Sequence, residues 1–179
     1  MFDIGITLDT YQSKMIAKLV YKFDLNMNDI RCSSGQSIIF IKDNMVYQIY
    51  LSDLLFQTIV HNLKLISNMK GIVQYYHVYD KLNTVQYEKV EPIYNVQTSH
   101  LYENVNIDKL VQNVDNILTS LNKAQIVHGD FCCDNMGYSN IQKQYVLYDL
   151  ETVRYMINDN DVICDQNRIK KSIKFCTRE

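Results

Sequence analysis

The chain reads IVHGDFCCDN at residues 126–135 and VLYDLE at residues 146–151. The first segment places Asp130 five residues before Asn135, in a short polar loop that follows an apolar pair. The second places Asp149 at the end of an apolar run, fourteen residues after Asn135. Phosphoryl transfer needs an acid that orients the acceptor hydroxyl, and an amide and a second acid that bind magnesium at the nucleotide phosphates. The spacing therefore predicts a phosphoryl-transfer site.

Each of these three residues has a predicted role. Asp130 is the predicted catalytic residue, which accepts or orients the proton of the acceptor hydroxyl. It needs no shifted pKa, because positioning does most of the work in a loose transition state. Asn135 and Asp149 are the predicted metal ligands, since Mg²⁺ prefers the oxygen ligands that amides and carboxylates supply.

The two segments resemble the protein-kinase-like superfamily, whose catalytic loop reads His-Arg-Asp-x-x-x-x-Asn. This chain has His128-Gly129-Asp130 followed by Asn135. The Gly after His, and Asp-Leu-Glu at residues 149–151 in place of Asp-Phe-Gly, look more like the aminoglycoside and choline phosphotransferases or very small atypical kinases. The resemblance implies ATP and Mg²⁺ as cofactors and transfer of the γ-phosphate to a hydroxyl acceptor, which is either a protein or a small molecule.

The resemblance also implies an α+β fold with two lobes: a small antiparallel, β-rich N-lobe and a truncated helical C-lobe. Residues 1–179 are expected to form one such domain, with residues 1–91 as the N-lobe and residues 92–179 as the reduced C-lobe. The N-lobe pattern begins with an extra helix. The predicted N-lobe elements are a helix over 8–23, a loop over 26–34, a hairpin of strands 37–41 and 45–51, a helix from 53 to about 69 that ends at Gly71, and strands 72–79 and 84–90.

The C-lobe pattern contains a helix over 106–124, the catalytic loop, a hairpin over 138–148 and a terminal helix. Only thirty residues follow Asp149, too few for an activation segment and the helices of a protein-substrate platform. This favours a small-molecule kinase or a pseudokinase over a regulated protein kinase. The terminal helix carries a basic cluster, interpreted as a charged helix face, with phosphate, nucleic acid or an acidic partner as alternatives; its members are Arg168, Lys170, Lys171, Lys174 and Arg178.

The sequence departs from the family at the positions whose side chains bind the nucleotide phosphates. Gln48 stands where the resemblance implies a phosphate-binding Lys, and the following helix offers Gln57 instead of a Glu. A Gln donates hydrogen bonds to phosphate without the strength that a charge adds. Lys42 is a rival cation, although it adjoins the predicted Asp43-Asn44 turn. Cys132 occupies the position where serine/threonine kinases carry a Lys that contacts the γ-phosphate.

Adenine is expected to contact the backbone of the connector between the lobes, in the zone from Glu88 to Val90. This expectation comes from position alone. His128 is expected to organise the catalytic loop by hydrogen bonding. The glycine loop is reduced to Ser33-Ser34-Gly35, for which an ordinary turn is an equal alternative.

Composition limits the partners. A net charge of −2 gives no electrostatic case for nucleic acid or an anionic membrane as a partner. No signal pattern or apolar run long enough for a bilayer is present, and the five cysteines lack metal-type spacing, so an intracellular, reducing compartment is expected. Residues with AT-rich codons are abundant, which is typical of some large DNA viruses. If the protein is viral, the expected compartment is the host cytoplasm.

The alternative function is a catalytically impaired pseudokinase that binds a protein partner.

Overall fold

A computed structural model describes residues 9–26, 29–33, 36–66, 68–95 and 97–177. The fold is α+β, with small antiparallel sheets and, in the described residues, four α-helices. The chain divides into two compact units. The first comprises Met1–His61 and Gln74–Lys89, and the second comprises Asn62–Val73 and Val90–Glu179.

The first unit begins with helix α1 (Thr10–Phe23), as the apolar spacing predicts. Asp9 and Gln12 start the helix as a reciprocal capping box, because each side chain accepts a hydrogen bond from the other's backbone N–H. Asp24 ends it in the left-handed conformation, with a φ of 49°. Met15, Ile16 and Leu19 form its buried face.

A five-stranded antiparallel sheet packs with α1 and has the strand order β1-β2-β3-β5-β4. The strands are β1 (Ile30–Ser33), β2 (Ser37–Lys42), β3 (Met45–Tyr50), β4 (Tyr75–Tyr79) and β5 (Thr84–Glu88). Asp43 and Asn44 join β2 to β3 with φ values of 51° and 62°, the two left-handed residues of a tight hairpin turn. The predicted hairpin is therefore confirmed. Side chains from the helix and sheet form one core, which includes Leu19, Ile38, Phe40 and Ile49.

Three predicted boundaries in this part of the chain are wrong. Residues 30–33 were expected to be a loop and instead form β1, which pairs with β2 across a register shift. Helix α2 (Asp53–Ile66) ends before Gly71, which lies in a later turn with a φ of +86°. The strand expected from Ile72 starts at Tyr75, because residues 71–73 bond instead to Leu147.

The second unit contains helices α3 (Ile107–Lys123) and α4 (Asp159–Cys176). Asn106 caps α3 by accepting a hydrogen bond from the Lys109 N–H, and the helix matches its predicted range closely. Its buried face includes Leu110, Val114, Ile117 and Leu121. The remaining strands of this unit are β6 (Glu91–Pro92), β7 (Tyr94–Asn95), β8 (His100–Leu101), β9 (Ile126–Val127), β10 (Met136–Ser139), β11 (Gln144–Leu147) and β12 (Arg154–Tyr155).

Two small sheets of the second unit hold the residues of the predicted site. Strands β10 and β11 form the predicted hairpin, and β6 pairs with the other side of β10. Strand β9 pairs with β12, which returns the chain to the start of the 128–135 loop. The loop therefore begins at one sheet and ends at another. No helix in the described ranges has the length and apolar character needed to cross a bilayer.

Candidate functional site

The structure brings Asp130 and Asn135 together. The loop between them ends in a short 3₁₀ turn at Cys133–Asn135, which leads into β10. From this turn the Asn135 side chain reaches back, and its Nδ2 donates to the backbone oxygen of Asp130 at 2.9 Å and to the carboxylate Oδ2 at 3.0 Å. The amide thus fixes both the loop and the orientation of the carboxylate. Asn135 is itself buried, with 8% of its surface exposed.

His128 links this loop to the end of β11. Its side chain is completely buried. Nε2 lies 3.3 Å from the carbonyl oxygen of Tyr148, and Nδ1 accepts from the Asp130 N–H at 3.3 Å. These partners require the neutral tautomer with the proton on Nε2. Burial lowers the pKa of His128 below its usual range, which favours the same neutral form. The prediction that His128 organises the loop by hydrogen bonding is confirmed.

Asp149 follows directly after this anchored strand end. The Tyr148 N–H donates to the backbone oxygen of Asn135 at 2.9 Å, so Asp149 is attached next to the loop that carries Asp130. Its φ of 59° places it in the left-handed region, which is uncommon for a residue other than glycine outside a turn or helix cap. Such conformations persist where surrounding contacts enforce them, and they concentrate at functional sites.

Asp149 is exposed as a residue, although surrounding protein partly shields its carboxylate from water. Reduced hydration raises its pKa, and the negative charge of Asp130 adds to this effect. The structure therefore disfavours the charged form of Asp149 when no cation is bound. A divalent cation reverses this preference, because its charge stabilises the carboxylate.

The donor set fits Mg²⁺ that is bound together with phosphate oxygens. Asn135 uses Nδ2 to hold Asp130, while its Oδ1 accepts no hydrogen bond from the described part of the chain. Asp149 adds a carboxylate. Within the described ranges no group of three or more His, Cys, Asp and Glu side chains is arranged to hold a metal ion. Mg²⁺ does not need such a cage, since it commonly binds one or two protein ligands and completes its shell with water and substrate phosphate.

Gly129 explains why a glycine separates His128 from Asp130. Its φ is +82°, which an L side chain rarely adopts. A Cβ at this position would also lie 2.9 Å from the carbonyl oxygen of Thr152. The Thr152 hydroxyl in turn donates to the His128 carbonyl oxygen at 2.7 Å. Thr152 therefore packs directly against the backbone of the 128–135 loop.

Sequence reasoning missed Asp165, a buried residue of α4. Its carboxylate accepts from the His128 N–H at 2.7 Å and from the Gly129 N–H at 3.0 Å. Only 3% of its surface is exposed. The available signal was its position four residues before the buried Ile169, because a carboxylate on the apolar face of a helix needs a partner. The sequence does not show which backbone groups provide that partner.

Arg168 was also missed as a site residue, since the sequence placed it only within a basic cluster. Its Nη1 forms an ion pair with Oδ1 of Asp130. About half of each side chain is exposed, at 50% for Arg168 and 43% for Asp130. The two carboxylate oxygens of Asp130 therefore have different partners, Arg168 on Oδ1 and Asn135 on Oδ2.

The two candidates for a phosphate-binding donor in the N-terminal part have partners within the first unit. Gln48 Nε2 donates to the Ser37 hydroxyl at 3.2 Å. Lys42 Nζ binds the Asp24 carboxylate at 3.0 Å and the Phe23 carbonyl oxygen at 3.3 Å. Lys42 thus fixes the end of α1. The proposed role of Gln48 in nucleotide binding stays a prediction.

The predicted adenine-contacting residues lie on either side of the boundary between the units. Glu88 is buried and accepts from the Gln74 N–H at 2.8 Å, while its own N–H donates to the Gln74 carbonyl oxygen at 2.9 Å. Val90 belongs to the second unit, where a Cβ at Gly137 would come within 2.7 Å of its side chain. These contacts are structural, and the predicted role of both residues remains a prediction.

A cavity of about 200 Å³ lies in the second unit but contains none of the predicted site residues. It is smaller than most small-molecule sites. Its lining residues are Glu91, Pro92, Ile93, Asn104, Val105, Tyr138 and Tyr145. It therefore gives no support to a nucleotide site.

Two of the described cysteines, Cys133 and Cys176, are buried. Cys132, Cys133, Cys164 and Cys176 are free thiols. Burial raises the pKa of Cys133 to about 12, so its reactive thiolate is scarce at neutral pH. Burial also raises the pKa of the neighbouring Cys132.

No protein-family model matches this sequence, and no characterised protein gives a significant match. The resemblance to the protein-kinase-like superfamily therefore stays a prediction from the motif residues.

Proposed function

We propose that this chain is an ATP- and Mg²⁺-dependent phosphotransferase with a reduced, two-lobed protein-kinase-like fold. The observation that supports it most is the set of contacts joining the 128–135 loop to the end of β11. His128 and Asn135 both bond to Tyr148, and Asn135 also holds the Asp130 carboxylate. These contacts support the predicted grouping of Asp130 and Asn135 with Asp149, which follows Tyr148 directly in the chain.

In the proposed reaction, Asp130 orients the acceptor hydroxyl and receives its proton. The acceptor oxygen forms a bond to the γ-phosphorus, and the bond from that phosphorus to the bridging oxygen of ADP breaks. Mg²⁺ supplies positive charge to the phosphate oxygens when it is bound. Asn135 and Asp149 are the residues that would hold it. Neutral His128 connects the Asp130 backbone to the Tyr148 carbonyl oxygen, and it adds no charge to the site.

The test is the rate of ATP hydrolysis by the complete chain with Mg²⁺, where water replaces the unknown acceptor. Asp130→Asn is expected to lower this rate by about 100-fold or more, the usual contribution of a positioned acid or base. Asp115→Asn is the matched control, because Asp115 is an exposed acid on α3. Equal rates for Asp130→Asn and the unmodified chain would contradict the proposal.

A non-catalytic binding module is the second candidate, and the contacts of Lys42 and Gln48 favour it. Lys42 is committed to the end of α1, and Gln48 carries no charge. If the chain is such a module, we expect it to bind Mg-ATP or a protein partner without hydrolysing ATP. Binding of a protein partner that survives Asp130→Asn with full affinity, together with no measurable hydrolysis, would support it.

A further inference from the structure

The candidate site contains several carboxylates, and within the described residues Arg168 forms an ion pair with one of them, Asp130. Asp130, Asp134, Asp149 and Glu151 are near enough to influence one another. The charge of Asp130 acts on Asp134 and Asp149, and the charge of Asp149 acts on Glu151. Among the described residues, Arg168 is the cation that forms an ion pair with this group. An approaching polyphosphate would meet mostly negative charge without it.

Arg168 has donors left after it binds Asp130. A guanidinium carries five N–H donors, and its planar fork matches phosphate oxygens. Its one described side-chain contact is Nη1 with Asp130 Oδ1. The side chain is half exposed, so the remaining donors are accessible beside the carboxylate that would orient the acceptor.

The position of Arg168 is fixed by the helix that carries it. Asp165 lies three residues earlier, on the neighbouring turn of α4, and binds the N–H groups of His128 and Gly129. The same loop is therefore anchored to α4 at Asp165 and contacted by α4 again at Arg168. This double attachment places the guanidinium before any ligand binds, which reduces the cost of ordering it.

We propose that Arg168 binds the phosphoryl group that is transferred. It would thereby supply the positive charge that a Lys at the position of Cys132 supplies in serine/threonine kinases. This inference rests on the proposed function, because it assigns the phosphate-binding cation of the same site. Arg168 would contact oxygens of the γ-phosphate while Asp130 orients the acceptor. It would stabilise the negative charge on those oxygens as the bond to ADP breaks.

The test is the affinity of the complete chain for Mg-ATP and for Mg-ADP, measured by calorimetry. Arg168→Gln is expected to weaken Mg-ATP binding about tenfold and to change Mg-ADP binding less than twofold, since ADP lacks the group that Arg168 binds. Arg168→Lys should fall between, because an ammonium keeps the charge but loses the planar fork. Lys170→Gln is the control, because Lys170 lies about 200° around the helix from Arg168.

The outcomes separate this inference from the proposed function. If the unmodified chain binds Mg-ATP and Arg168→Gln leaves the ATP-to-ADP affinity ratio unchanged, the inference is wrong and the proposed function stands. If Arg168→Gln tightens ATP binding, Arg168 obstructs the site and the inference is likewise wrong. Absence of Mg-ATP binding by the unmodified chain overturns both. A merely structural role would weaken both nucleotides equally or lower the melting temperature without ligand.

Discussion

The carboxylate of Asp165 accepts a hydrogen bond of 2.7 Å from the backbone N–H of His128, thirty-seven residues earlier in the chain. The same carboxylate accepts from the Gly129 N–H at 3.0 Å. Because it satisfies two consecutive donors at the start of the loop, it determines the path of the backbone toward Asp130. The buried acid of α4 is therefore a positioning residue for the candidate site.

Replacing Asp165 with Asn should destabilise the fold by about 1–3 kcal/mol. The amide keeps the shape, but it loses the charge and one of the two accepting oxygens, which leaves a buried N–H without a good partner. Urea unfolding of Asp165→Asn measures the change, with Asp115→Asn as the exposed control. A free energy of unfolding equal to that of the control would show that the two hydrogen bonds contribute nothing to stability.

Because His128 is buried, we expect the free energy of unfolding to depend on pH. Burial holds its pKa below the ordinary value of 6.5, so the unfolded chain binds more protons than the folded chain as the pH falls below that value. Its contribution to stability is therefore complete above about pH 6.5 and decreases below it, by up to about 1.4 kcal/mol per pH unit.

Urea unfolding at pH 7.5 and pH 5.5 checks this dependence. The difference in free energy between the unmodified chain and His128→Gln should be largest at pH 7.5 and should shrink at pH 5.5. His61→Gln, at an exposed position of α2, should retain the pH dependence of the unmodified chain. A difference between the unmodified chain and His128→Gln that is constant with pH would rule out a buried neutral histidine.

Gly129→Ala should destabilise the loop by about 1–3 kcal/mol. The φ of +82° is unfavourable for Ala, and its Cβ would lie 2.9 Å from the Thr152 carbonyl oxygen, a backbone atom that cannot rotate away. Thermal unfolding measures the loss. An unchanged melting temperature would mean that the backbone does not adopt this conformation.

Several elements follow from local sequence alone. Asp43-Asn44 between two apolar runs identified the β2–β3 hairpin, and apolar residues at helical spacing over 106–124 identified α3. Strand β1 was missed because its four residues lie within the polar stretch 26–34, which was interpreted as a loop, and its pairing with β2 defines it. Local patterns thus predict elements whose signals lie within them.

The candidate site likewise contains some contacts that local sequence predicts and others that it does not. The positions of Asp130 and Asn135 follow from a five-residue spacing within one loop, and their contact is a local hydrogen bond. The contacts of Asp165 and Arg168 with this loop span more than thirty residues. Periodicity places both residues on α4, but it does not show what that helix packs against. Only the tertiary structure supplies these partners.

Asp149→Asn should leave the ligand-free protein equally stable or make it more stable. The pKa of Asp149 is raised above 3.8, chiefly by reduced hydration, so the fold disfavours its charged form at neutral pH. Asn carries no charge and tolerates the left-handed φ of 59°. Thermal unfolding without ligand measures this, and a clear loss of stability would indicate that Asp149 is a structural residue.

The stabilisation of the complete chain by saturating Mg-ATP tests the central claim most directly. A ligand present at 100 times its dissociation constant adds about 2.7 kcal/mol to the free energy of unfolding, which raises the melting temperature by about 5–10 °C. The unmodified chain and Asp115→Asn should show this rise with Mg-ATP, and a smaller one with ATP and a chelator. Asp149→Asn should lose the Mg²⁺-dependent part. No rise in the unmodified chain, or an equal rise in Asp149→Asn, would contradict a magnesium-nucleotide site at Asn135 and Asp149.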